Sequence, residues 1–148
     1  MVDIVSFLEG KTPNHRGYTH AMLLEQTDQQ AETTHDYIQW LFPLDRPSQS
    51  VNTSPVLTKS DVQEIRQNQL IGINLEKSKT WFLGFLERNK HWITKYDHNH
   101  LRITRAIISL RLLVSDKTAE NFRKKIFELA GNRLNSIDSK AINFWNKV

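Results

Sequence analysis

Between His98 and Val114 runs a helical pattern that has almost no polar side. Projected at about 100° per residue, Arg105, His98, Ser109 and Arg102 fall together within about 60° of arc. Leu101, Ile108 and Leu112 flank this stripe on one side; Leu113, Ala106, Leu110, Ile103, Val114 and Ile107 flank it on the other. Only Thr104 and Arg111 interrupt the remaining circumference. A surface helix has one broad apolar face and one broad polar face, so a helix that is apolar nearly all round belongs at the centre of a bundle. The two guanidiniums in its narrow polar slot then need acceptors, because a buried charge left unpaired costs about 3–5 kcal/mol.

The rest of the chain supplies helices to surround it. Val/Ile/Thr alternation of the strand kind is scarce, and Gly and Pro together number nine. Thr27-Asp28-Gln29-Gln30 is a capping-box pattern that opens a helix ending near Phe42, before Pro43. Residues 43–57 hold three of the four prolines and read as an extended surface loop. Thr58-Lys59-Ser60-Asp61 is a second N-terminal cap, with Val62, Ile65 and Leu70 as its apolar face. A helix from Asn74 to Arg88 turns Leu75, Trp81, Phe82, Phe85 and Leu86 inward, and Gly84 either weakens it or permits a close helix approach. Ser115 caps a helix at Asp116–Ala130 that closes on Gly131, with Ala119, Phe122, Ile126 and Leu129 inward. A last helix near Ser136–Asn146 carries Ile137, Ala141, Phe144 and Trp145. The expectation is an all-α fold, a single compact domain over residues 1–148, with five to six helices around the central one at 98–114.

Composition narrows the chemistry. With no cysteine in 148 residues, disulfides, thiolate nucleophiles and Cys-bound metals are excluded. No run approaches the roughly 18–20 apolar residues of a membrane span, and the N-terminus lacks the basic start of a signal peptide, so a soluble, cytoplasmic protein is expected. His98 and His100 diverge on a helix, and His15 and His20 fall in a polar segment read as mobile. Neither a metal centre nor a cofactor is expected. The phosphate-loop and nucleophile-elbow motifs are missing, and adjacent His35 and Asp36 point about 100° apart on a helix, so no enzyme is expected. Residues 1–74 carry 5 basic and 9 acidic side chains, net −4, whereas residues 75–148 carry 15 and 7, net +8. That asymmetry suits either self-complementary charge or an anionic partner.

Two segments resemble a known family as words. His35-Asp36-Tyr37-Ile38-Gln39-Trp40-Leu41-Phe42-Pro43 is similar to one signature of the opioid growth factor receptor conserved region. His98-Asn99-His100-Leu101-Arg102-Ile103-Thr104-Arg105 resembles its second signature, HN-x-LRITR. Pro55-Val56-Leu57-Thr58 lies where the family has AP-x-LT, with Ser54 in place of Ala. The resemblance covers roughly residues 4–130 and implies an all-helical domain. The family's name-giving member is a nucleus-associated receptor for a short enkephalin-type peptide that restrains cell growth, and the family offers no catalytic residues to carry over.

The candidate ligand site is the slot of His98, Arg102 and Arg105, completed by His35, Gln39 and Trp40 of the first signature, with His35, Gln39 and Phe42 on one helix face. Two readings stay open: the arginines pair with internal acids such as Asp36 or Glu32, or they line a pocket that grips a peptide carboxylate or a small anion. The expected function is a non-enzymatic binding or interaction module for a peptide or small anionic ligand. The alternative is a nucleic-acid-associated regulator that uses the basic C-terminal half, with Arg123, Lys124 and Lys125 as its cluster.

Overall fold

The computed structural model describes residues 3–49 and 51–148, so Ser50 of the 43–57 loop and the first two residues of the single-domain reading lie outside the described residues. Helices supply nearly all its regular structure: α1 Ile4–Leu8, α2 His20–Leu24, α3 Asp28–Thr33, α4 Ile38–Leu41, α5 Lys59–Gln67, α6 Gln69–Arg88, α7 Asn99–Leu113, α8 Asp116–Ala130 and α9 Ser139–Lys147. Short 3-10 turns follow α6 at Lys90–Trp92 and α8 at Gly131–Ser136. The protein is all-α; among the described residues the one extended pairing is a parallel bridge between Leu44 and Val56. Among them, too, no helix is long and apolar enough to cross a membrane. The helices gather into two compact units, Met1–Ser78 and Lys79–Val148.

In the first unit local capping chemistry sets most boundaries. Thr27 and Gln30 form a reciprocal capping box on α3, and Thr58 and Asp61 form one on α5. The expected helix from Thr27 to Phe42 is not continuous. Thr34 is extended (φ −92°, ψ 130°), α3 stops at Thr33, and α4 starts again at Ile38. Two adjacent β-branched threonines weaken the helix here. The Asp36 carboxylate is meanwhile claimed from outside, by His15 and Arg16. The break overturns the helical face of His35, Gln39 and Phe42, because His35 lies before the first turn of α4.

The segment expected to be polar and mobile is instead built into this unit. His20 is 3% exposed, meets the edge of Phe7 at 5.9 Å, and lies 2.8 Å from the Ser78 hydroxyl. Phe7 also packs edge-on against Trp40 at 5.2 Å, and α1 contacts α4 and α5. The Asn74 amide donates to the Leu8 carbonyl at 2.8 Å, which binds α6 to the end of α1. The proline-rich loop is closed at its base, where the Leu57 N–H donates to the Leu44 carbonyl at 2.9 Å, and both leucines are buried.

The second unit is organised by α7, which packs on both α8 and α9. Ser115 caps α8 by accepting from the Thr118 N–H, and Gly131 ends it at φ +54°, a left-handed value that a side chain would strain. Phe82 and Phe122 stack at 6.2 Å, and Ala119 and Ile126 are likewise fully buried. Helix α6 begins five residues earlier than expected, at Gln69. The space above Gly84 is taken by the Arg88 guanidinium, 3.0 Å from where a Cβ would stand, rather than by a second helix. The expected last helix starts later, at Ser139, because residues 131–136 form a 3-10 turn; Ile137 and Trp145 are buried there, whereas Phe144 is 57% exposed.

Candidate functional site

Helix α7 does not turn the expected side outward. Arg102 and Arg105 are only 6% and 9% exposed, and Ser109 between them is fully buried. Arg102 donates to the Asn99 side chain at 3.2 Å. Burial brings the Arg105 guanidinium down to about 10 from its ordinary value, because removal from water disfavours the charged form. The outward edge is the apolar flank instead: Leu101 is 72% exposed, and Ile108 and Leu112 are half-buried. The buried arc thus holds the polar stripe and the exposed edge holds leucine, the reverse of an ordinary amphipathic helix.

Of the three α7 candidates, only His98 reaches the surface, at the residue just before the first turn. It opens on a concavity of about 660 Å³ formed by the start of α7, the start of α9 and the link between the 3-10 turn and α7. Tyr96, Leu101 and Phe144 stand around this groove with exposures of 71%, 72% and 57%. Its base is rigid. The Trp145 indole, fully buried, donates to Thr104 Oγ1 at 3.0 Å, and the His100 ring donates to the Trp92 carbonyl at 2.7 Å. The groove's charges sit at its rim. Lys140 comes from the first turn of α9, and Lys95 lies over the Tyr96 ring at 5.3 Å. Asp97 accepts from the Asn99 N–H at the start of α7, and Asp138 adds a second acid beside Lys140.

The remaining candidates belong to the first unit. Gln39 and Trp40 are buried, at 5% and 4%, and His35 is exposed on the link between α3 and α4. The other aromatic of the first signature, Tyr37, is a structural tie whose hydroxyl donates to the Ala31 carbonyl at 2.8 Å.

The basic cluster of α8 is interleaved with its own partners. Arg123 donates to Glu120 at 2.6 Å and to Asn146 at 2.8 Å while lying over the Phe127 ring, and Lys125 pairs with Glu128 at 3.3 Å. The hydrogen bond from Arg123, together with those charges and Arg111, holds the Glu120 carboxyl below the usual range. Lys124 is exposed.

Sequence reasoning missed Tyr96 and Lys140, and it placed Phe144 on the last helix without seeing that it faces outward. It also passed over His15 and Arg16. One signal for the latter was present. Asn14 and Gly17 bracket a tight turn in which the Asn14 side chain accepts from the Arg16 and Tyr18 N–H groups, and Gly17 takes φ +84°.

No solved structure shows a significant match to the chain. Among curated proteins it is similar to the opioid growth factor receptor of Mus musculus, 32% identical over 97 residues, which is 53% of this chain and 15% of that protein. The Rattus norvegicus receptor is 30% identical over 97 residues (53% and 17%), and the Homo sapiens receptor 34% over 100 residues (53% and 14%). The chain therefore spans only about a sixth of the length of these relatives. The family model described as the opioid growth factor receptor conserved region matches residues 12–89, just over half of the chain, and the protein belongs to that family.

Proposed function

We propose that this protein is a non-enzymatic binding module that takes a peptide in the groove beside His98. The observation that carries the reading is the ring of Tyr96, Leu101 and Phe144, three large apolar side chains held out to solvent around one concavity. Large apolar groups clustered on a surface are a recognition feature, and a rigid floor lowers the entropy lost on binding. The ligand suited to the groove bears bulky apolar side chains for this ring and polar groups for a rim where Lys140 and His98 stand with Asp97 and Asp138. The relatives are named receptors of a growth factor, which supports a ligand-binding role for the shared region. In this reading the buried arginines of α7 hold the helix in place, and the ligand meets its outer edge.

The test is fluorescence-anisotropy screening of the full chain against short labelled peptides of Phe/Leu-rich sequence, with Leu101→Glu and Phe144→Ala as variants. Micromolar binding weakened at least tenfold by either substitution supports the groove. Binding left unchanged in both variants refutes it. The nucleic-acid alternative through Arg123, Lys124 and Lys125 makes a different forecast: affinity that falls steeply with salt and is indifferent to Leu101 and Phe144.

A further inference from the structure

A second concavity, in the first unit, has a different chemistry. It encloses about 720 Å³ between the Asn14–Gly17 turn and the loop after Asp45, and His15, Arg16, Asp36, Ser48, Asn52 and Thr53 line it. Apart from Val51 its lining residues are polar or charged, so a ligand that can hydrogen-bond suits it better than a purely apolar one. At its edge an arginine and a histidine converge on one carboxylate. Asp36 is 12% exposed and accepts from Arg16 Nε and, at 3.3 Å, from His15 Nε2. The His15 ring lies flat on Trp40 at 5.6 Å, with 17° between the planes, so its orientation is fixed from two directions.

The consequence lies in what Asp36 leaves over. It engages Arg16 through Nε, and the two terminal nitrogens of that guanidinium have no hydrogen-bond partner among the described residues, although the side chain is 60% exposed. An arginine steadied through Nε presents its terminal nitrogens as a planar fork, the geometry that matches two oxygens of a carboxylate or phosphate. Thr53 and Asn52 across the cavity are exposed and add neutral donors.

We infer that this cavity is an oxyanion site for a small polar molecule bearing a phosphate or carboxylate group. Arg16 takes two of its oxygens, His15 adds a second positive group when protonated, and Asn52 and Thr53 hydrogen-bond the rest of the molecule. Asp36 acts as a positioning residue for both side chains.

The experiment is a titration of the isotope-labelled full chain, followed by amide and indole NMR, with inorganic phosphate and separately with acetate, against sodium chloride at equal ionic strength. Saturable shifts confined to Arg16, Asn52, Thr53 and the Trp40 indole are expected for at least one of the two anions, and which one saturates identifies the group the site prefers. Arg16→Gln should weaken that binding at least tenfold and Arg16→Lys by several-fold, since lysine keeps the charge and loses the fork. The remaining spectrum of each variant reports that the fold is intact. Shifts that match those of chloride for both anions, or an unchanged affinity in Arg16→Gln, overturn the inference.

Discussion

His20 gives the fold a specific weakness toward acid. Its Nε2 lies 2.8 Å from Ser78 Oγ, and that hydroxyl itself donates to the Asn74 carbonyl at 3.1 Å. The serine proton is thereby spoken for, so the histidine must be the donor, as the neutral ring protonated at Nε2. Burial, and then the charge of Lys77, lower the group from 6.5 to about 4. The folded value is below the unfolded one. Between pH 6.5 and 4 the unfolded chain takes up a proton that the folded chain refuses, so stability is complete above 6.5 and falls as the pH drops toward 4. A fall from 6.5 to about 4 corresponds to about 3 kcal/mol in full, of which about 2 kcal/mol is lost by pH 5. Carboxylates add their own acid dependence, so the measurement is comparative. Urea unfolding of the parent and of His20→Gln, whose amide can still donate to Ser78, should be followed from pH 7.5 to 4.5. The parent curve should fall more steeply by about 2.5 kcal/mol. Parallel curves would refute the argument, as would a directly observed His20 titration midpoint near 6.5.

Two further outcomes follow from burial and helix propensity. Arg105→Ala should destabilise the protein by about 3 kcal/mol in chemical unfolding, because it empties the space of a long side chain that is only 9% exposed. Gly72→Ala should raise stability by about 1 kcal/mol, since Gly72 lies inside α6 with nothing within 4 Å of the added methyl; thermal unfolding would show it.

The elements that could be read in the sequence are those fixed by neighbours in the chain. The caps at Thr27, Thr58 and Ser115 and the stop at Gly131 are local hydrogen-bond and backbone choices, and all four occur as the residues dictate. Helices α1 and α2 escaped notice because five residues each are too few to show a period. The break between Thr33 and Ile38 escaped for another reason, since the groups that draw Asp36 out of a helix are His15 and Arg16, some twenty residues earlier. For α7 the angular order of the side chains was correct, but a helical projection gives only relative directions. Which arc faces the interior is decided by tertiary packing, and it buries the arginines and leaves Leu101 in water. The groove could not be seen for the same reason: Tyr96, Leu101 and Phe144 meet only through tertiary structure.

The turn at Asn14–Gly17 also bears on how smaller versions of this protein should be cut. The first signature word begins at His35, and a fragment drawn outward from that word to Thr19 would keep every one of its letters. It would also discard both side chains that hold Asp36, leaving that carboxylate without its partners and Trp40 without the ring stacked on it. The working boundary of the signature therefore lies at or before Asn14, about twenty residues ahead of its spelling.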